Sequence, residues 1–149
     1  MAIGENRTSG GRLTSMATLE DEPVRKLLSD PNYAVVSTKN SDGSILSTVV
    51  WADIEDGAVA VNSAIGRKWP TNLQRDPHAT VLIYEAENPY NYVEIRGKVT
   101  PIEGEEADQH INRLTQKYMN QDEYPFRQPG EQRIKFLLKP ESVRHMKQG

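Results

Sequence analysis

The sequence has 149 residues and a formal net charge of −3. A chain of this length fits one domain, which buries roughly two thirds of the surface that its unfolded form would expose. The negative balance disfavours general DNA or RNA binding, which uses a broad positive field.

Cysteine and histidine, the residues that most often bind zinc in proteins, are absent or scarce. The chain has no cysteine, so disulfides, thiolate nucleophiles and cysteine metal sites are excluded. Its three histidines are too far apart in sequence to form a local ligand pair, and we expect no metal site. The Gly/Ser/Thr/Arg-rich start, residues 1–17, has no apolar stretch and predicts a flexible tail rather than a signal peptide or membrane span. We expect a cytoplasmic protein without membrane contact, with a single domain over residues 18–149.

The first elements form a meander. Apolar residues at helical spacing predict a first helix from Thr18, its N-cap, to Ser29. A β-rich strand follows over Tyr33–Thr38. The turn Asn40-Ser41-Asp42-Gly43 leads into a long strand, Ile45–Ile54, and a second turn leads into a third strand, Ala58–Asn62.

In the second half of the chain, strands and helices alternate less regularly. The patterns predict a short helix at Gly66–Arg75, strands at Ala79–Ala86 and Tyr92–Ile102, an amphipathic helix at Glu103–Met119, a loop at Asn120–Glu131 and a last strand at Arg133–Leu138. We expect a bend at Arg96 and Gly97, and Pro140 to end the last strand. Six strands joined mostly by hairpins predict an α+β fold, mainly antiparallel β, that closes into a barrel.

One segment carries a recognisable binding chemistry. A strand ends in Asn62 and Ser63, a glycine turn follows, and Arg67 and Lys68 stand where a helix begins. The free N–H groups of a helix N-terminus favour an anion, and arginine and lysine add charge, so the segment is typical of a phosphate site. Spacing alone leaves an alternative open, in which these cations and Arg75 form a solvated helix face.

Six short segments, in their order along the chain, are typical of one family. They are Tyr33–Thr38, Asp42-Gly43, Gly66-Arg67-Lys68 with Asn72-Leu73, Arg75-Asp76-Pro77, Val93–Gly97 and Tyr124–Arg127. Over residues 31–140 the chain thereby resembles the pyridoxamine-5'-phosphate-oxidase-like split β-barrel superfamily. Within it, the chain is similar to the deazaflavin-dependent oxidoreductases of actinobacteria, which use coenzyme F-420.

The resemblance implies a six-stranded, FMN-binding type of split β-barrel with peripheral helices, and a homodimer with its cofactor at the interface. Arg67, Lys68 and Asn72 would hold the phosphate, strand residues would border the ring, and the loop Tyr124–Gln128 would come from the second protomer. The cofactor-binding residues that it predicts are Thr38, Ser47, Thr48, Val49, Val50, Asn62, Ser63, Arg67, Lys68, Asn72, Arg75, Arg127 and Gln128. The chain departs from its relatives at Thr71 and His78, where a further basic residue is common, so this phosphate site is expected to be less cationic.

Two other groups of residues have competing interpretations. Ser37, Asp76 and His78 include the residue types of a hydrolytic triad, but no nucleophile elbow surrounds the serine, and we predict no catalytic side chain. Four aromatic residues are interpreted either as walls of a ring-binding pocket or as core. They are Trp51, Trp69, Tyr84 and Tyr92. The segment Tyr124–Pro129 is too apolar and aromatic for a solvated loop, and we interpret it as a dimer contact.

The predicted function follows from the resemblance. With a reduced deazaflavin, the cofactor ring supplies the hydride and the protein orients a flat conjugated or quinone-like substrate. One alternative is an FMN-dependent oxidase or reductase of the pyridoxamine-phosphate-oxidase type. A second is a non-catalytic split barrel that binds flavin or haem without turnover.

Overall fold

The computed structural model describes residues 17–148. Its elements, in chain order, are α1 (Glu22–Ser29), β1 (Ala34–Lys39), β2 (Ile45–Val50), β3 (Ala52–Glu55), β4 (Ala58–Ala64), α2 (Lys68–Arg75), β5 (His78–Tyr84), β6 (Asn91–Glu103), α3 (Glu105–Met119) and β7 (Arg133–Lys147). The predicted flexible tail lies outside the described residues except for Ala17, whose N–H donates to the Val143 carbonyl at 3.1 Å. No helix within the described range has the length and apolarity to cross a bilayer.

All seven strands belong to one antiparallel sheet in the order β2-β1-β5-β6-β7-β4-β3. The α+β class and the antiparallel sheet are therefore confirmed. The prediction of six strands closed into a barrel is wrong, because the segment predicted as one strand, Ile45–Ile54, divides at Trp51. Its first half pairs with β1 and its second half with β4, and the ladders leave β2 and β3 as the two edges of an open sheet.

The last strand continues past the proline that was expected to end it. Pro140 lies opposite Gly97, where the β6–β7 ladder shifts register between Arg96 and Gly97. A β-bulge tolerates a proline because it already interrupts the hydrogen-bond ladder. A Cβ on Gly97 would lie 2.0 Å from the Lys139 carbonyl oxygen, so the close approach requires glycine. The predicted bend is confirmed, and β7 extends to Lys147.

All three helix starts are later than predicted, and α2 begins at Lys68 rather than at Gly66. The N-cap of α1 is Asp21 rather than Thr18, and the Thr18 N–H donates to the Asp21 carboxylate at 3.1 Å. Helix α3 begins at Glu105 because Gly104, its N-cap, has a positive φ of 79°. Helices α1 and α3 cover the sheet with buried apolar faces. All seven residues of β4 are buried, which places its C-terminal end inside the molecule.

Candidate functional site

A cleft of about 320 Å³ opens where β2, the end of β4, α2 and α3 meet the loop before β7. We call it the aromatic cleft. It is lined by Tyr33, Thr48, Val49, Val50, Trp51, Asn62, Ser63, Arg67, Trp69, Ile111, Leu114, Tyr124, Phe126 and Arg133. Five aromatic side chains among these give it large apolar walls, and two arginines give it positive charge.

Several hydrogen-bonding groups of the cleft are uncommitted. Ser63 is buried at the end of β4, and its hydroxyl has no hydrogen-bond partner among residues 17–148. The Thr48 hydroxyl and the Trp69 indole N–H likewise have no partner in that range. Ser63 and Trp69 are buried, and Thr48 is half-buried. Because polar groups that are shielded from water are normally satisfied, these three are candidates for contacts with a ligand.

Trp51 forms part of the cleft wall and packs against the C-terminal end of α3. The rings of Trp51 and Tyr118 stack with centroids 5.1 Å apart. The backbone N–H of Ala52 donates to the Tyr118 hydroxyl at 3.2 Å, and the Lys117 ammonium donates to the Ala52 carbonyl at 2.6 Å. Burial lowers the pKa of Lys117 to about 8 and raises that of Tyr118 to about 12. The backbone at the break between β2 and β3 is thus hydrogen-bonded to two titratable side chains, Lys117 and Tyr118.

Arg133, at the start of β7, is a buried cation in the cleft wall. Its Nε donates to the side-chain Oδ1 of Asn62 at 3.0 Å, and its guanidinium lies 4.8 Å from the Tyr124 ring centroid. Its Nη1 donates to Glu131 Oε2 at 2.7 Å. Arg67 reaches the other oxygen of the same carboxylate at 3.6 Å. A single carboxylate therefore lies between the two arginines of the cleft.

A hydrogen-bond chain continues behind Asn62. Its amide Nδ2 lies 3.0 Å from Nδ1 of the buried His110 and donates to the Ala107 carbonyl. Nε2 of His110 lies 3.0 Å from Asp53 Oδ1. Because the amide N–H needs an acceptor at Nδ1, the hydrogen-bond pattern places the ring proton of His110 on Nε2, toward Asp53. This chain fixes the amide orientation of Asn62, and through it Arg133.

A second cleft of about 540 Å³ lies on the other side of the turn at Gly66. We call it the polar cleft. It is lined by Asn40, Ser41, Asp42, Ser44, Gly66, Lys68, Thr71, Asn72 and Arg75. Its cations, Lys68 and Arg75, are exposed. Asn72 is buried and donates to Thr38 Oγ1 at 3.0 Å and to Asn40 Oδ1 at 2.9 Å, which attaches α2 to the β1–β2 hairpin.

The predicted site residues divide between the aromatic cleft, the polar cleft and positions outside both. Six line the aromatic cleft, namely Thr48, Val49, Val50, Asn62, Ser63 and Arg67. Three line the polar cleft, namely Lys68, Asn72 and Arg75. Arg67, the N-cap of α2, and Lys68, its first residue, thus contribute to different clefts and do not surround one ligand position together.

The remaining four predicted residues line neither cleft. Thr38 is buried and accepts the Asn72 amide hydrogen bond. Ser47 shares a hydrogen bond with Ser37 across the β1–β2 pair. Arg127 forms an ion pair with Asp108 at 3.2 Å, and Gln128 is exposed in the same loop.

Some lining residues were not predicted as site residues. Ile111 and Leu114 lie on the apolar face of α3, which the pattern predicts only as the apolar stripe of an amphipathic helix. For Trp51 and Trp69 the sequence leaves both pocket wall and core open, and both residues line the cleft. Arg133 carried a usable signal, because a charged residue at the head of a buried strand needs a partner.

The family model described as pyridoxamine 5'-phosphate oxidase matches residues 20–147. A protein named F-420 reductase superposes with a TM-score of 0.69 at 20% identity, over 80% of this chain and 94% of the other. A heme binding protein from Mycobacterium smegmatis gives 0.61 at 20% identity, over 84% and 52%. An FMN binding protein from Nostoc punctiforme, related to pyridoxamine 5'-phosphate oxidase, gives 0.55 at 15% identity, over 76% and 74%. These structures share the fold. No curated protein matches the chain significantly.

Proposed function

Because the chain belongs to the pyridoxamine 5'-phosphate oxidase family, we propose that it is an oxidoreductase that uses reduced coenzyme F-420 to transfer hydride to a flat conjugated or quinone-like substrate. The observation that carries this proposal is the pairing of two clefts at the Gly66 turn. The aromatic cleft suits a planar ring, and the polar cleft beside it suits an extended anion.

The residues of the aromatic cleft fit a flavin-type ring. Trp51 and Tyr124 offer aromatic surface, with their ring centroids 6.5 Å apart and their planes perpendicular. The Thr48 and Ser63 hydroxyls supply hydrogen bonds for polar atoms at a ring edge, and Arg67 at the rim supplies positive charge for a phosphate.

The polar cleft favours the deazaflavin over FMN. Coenzyme F-420 carries an oligoglutamate tail beyond its phosphate, and FMN ends at the phosphate. The exposed side chains of Lys68 and Arg75 lie on the far side of the turn from Arg67, where such a tail would follow a ring seated in the aromatic cleft. Exposed charge contacts of this kind weaken as salt is added.

The bound deazaflavin would supply the hydride to the substrate. The side chains of this protein bind and orient the reactants, and the apolar walls exclude water from the space beside the ring. No pair of acid and base side chains faces the aromatic cleft within the described residues, which agrees with a reaction whose reactive group belongs to the cofactor.

The proposal includes a homodimer. Three apolar side chains around the aromatic cleft are exposed in the single chain: Val49 at 64%, Phe126 at 54% and Tyr33 at 49%. A second copy laid over the cleft would bury them and would complete the ring site. Light scattering at micromolar concentration should give twice the mass of one chain, and the mass of a single chain would contradict the dimer.

Titration of the purified protein with coenzyme F-420 and with FMN, at low and moderate salt, tests the choice of cofactor. We expect tighter binding of coenzyme F-420, by an amount that shrinks as salt rises, and oxidation of the reduced coenzyme when quinone-like acceptors are added. Tighter binding of FMN would favour the FMN-dependent oxidase or reductase. Stoichiometric binding of flavin or haem without any turnover would favour a binding module.

A further inference from the structure

Two positive and one negative side chain meet beside the aromatic cleft, which leaves a net charge of +1 instead of +2. We propose that Glu131 is a specificity-determining residue of this cleft: its carboxylate limits the preference for an anionic ligand over a neutral ligand of the same shape. This inference rests on the proposed function, because it concerns the phosphate end of a flavin-type cofactor.

The contacts indicate which arginine Glu131 is bound to most firmly. Arg133 is buried and is held in place by Asn62 and by the Tyr124 ring, and it donates to the Glu131 carboxylate at 2.7 Å. Arg67 is 52% exposed and approaches the same carboxylate only to 3.6 Å. The tight pair is therefore Arg133 with Glu131, and Arg67 is the cation that a ligand can reach.

Glu131 is placed to act on whatever Arg67 binds. Its side chain is only 5% exposed, so neither water nor salt screens its charge effectively. Burial raises the pKa of Glu131, but the hydrogen bond from Arg133 and the nearby Arg67 charge outweigh burial and hold it below its usual value. The carboxylate is thus ionised at neutral pH and repels a phosphate that approaches Arg67.

Riboflavin and FMN provide the test, because they share the ring and sugar chain and differ by one phosphate. Glu131→Gln removes the charge and keeps an amide oxygen that can accept from Arg133. We expect the affinity for FMN to rise roughly five- to tenfold, with the affinity for riboflavin nearly unchanged. Coenzyme F-420 and its phosphate-free deazaflavin core should behave in the same way.

Glu103→Gln is the matched control. Glu103 and Glu131 both line a third pocket, which also includes Arg133 and Arg127. Glu103 makes no ion pair with Arg67 or Arg133 among residues 17–148, and its substitution changes the net charge by the same amount. The control should leave the ratio of FMN to riboflavin affinity as in the wild type. An equal change of this ratio in both variants would mean a general field effect and would overturn the inference.

A second variant decides the matter should Glu131→Gln fail to fold. Arg67→Gln alters an exposed side chain and leaves Glu131 and Arg133 to neutralise each other. We then expect the two flavins to bind with nearly equal affinity, and a persistent preference for FMN would overturn the inference. Absence of binding by all four compounds would overturn the proposed function together with it, whereas binding with an unchanged ratio in Glu131→Gln would overturn this inference alone.

Discussion

The two clefts on either side of the Gly66 turn both contain cations, but they hold them in opposite ways. In the aromatic cleft Arg133 is buried, has three partners and shares a carboxylate with Arg67. In the polar cleft Lys68 and Arg75 are exposed. A fixed cation therefore shapes a cleft and contributes to the fold, whereas exposed cations add a salt-dependent attraction and little stability.

The largest expected difference between the clefts is in stability. Arg133→Met leaves the Glu131 carboxylate buried and removes the cation over Tyr124, and we expect the free energy of unfolding to fall by about 3 kcal/mol. Arg75→Met removes the hydrogen bonds that an exposed side chain donates to the Lys39 carbonyl and to Asn72 Oδ1, and should cost less than about 1 kcal/mol. Urea denaturation of the two variants measures both values, and equal losses would contradict the contrast between the clefts.

The wall of the aromatic cleft should also make stability depend on pH. The folded pKa of Lys117, about 8, lies below its unfolded value of 10.5. Between these values the unfolded chain binds the extra proton, so the free energy of unfolding rises with pH. Allowing for partial exposure of the amine, we expect a rise of about 1–2 kcal/mol from pH 8 to pH 10. Urea denaturation across that range should show the rise in the wild type, and its survival in Lys117→Met would contradict this assignment.

Because of Tyr118, we expect the free energy of unfolding to change with pH in the opposite direction at higher pH. Its folded pKa, about 12, lies above the unfolded value of 10.0, so the unfolded chain loses its proton first. Stability should therefore fall as pH rises from 10 to 12. The difference between the wild type and Tyr118→Phe in this range isolates the effect, and two parallel curves would contradict it.

The smallest expected effects concern ligand choice. Arg67→Ala should weaken both FMN and coenzyme F-420 by roughly tenfold, the loss of one charge contact on a phosphate that both carry. Lys68→Ala and Arg75→Ala should each weaken coenzyme F-420 by roughly threefold and leave FMN unchanged, because only the tail would reach the polar cleft. Fluorescence titration measures all six constants. Similar losses for both ligands in Lys68→Ala would show that Lys68, too, acts on the phosphate.

Local sequence patterns predicted most elements of the fold, because turns, caps and apolar periodicity depend on neighbouring residues. The division at Trp51 was missed, since it arises from long-range pairing: Ile45–Val50 is drawn to β1 and Ala52–Glu55 to β4. The expectation that Pro140 ends the last strand was wrong because the β-bulge that accommodates this proline depends on Gly97, more than forty positions earlier. Both errors concern partners that lie far away along the chain.

The candidate site shows the same division between local and distant information. The Gly66-Arg67-Lys68 turn was visible as a local motif. That its two cations line different clefts was not visible, because the direction of each side chain depends on how α2 packs on β1. For the Arg133–Glu131 pair, the sequence shows a charged residue at the head of the last strand, but the need for a partner follows only once that strand is known to be buried.

The position of the two tryptophans has a consequence for how this protein can be studied. The chain contains only Trp51 and Trp69, and both line the aromatic cleft. Their surroundings differ, since Trp51 is half-buried and stacks on Tyr118, whereas Trp69 is buried against Phe136. The tryptophan emission of the protein therefore originates entirely from this cleft. A bound chromophore that absorbs where indoles emit would quench it by energy transfer, so the unlabelled protein carries its own optical reporter of occupancy.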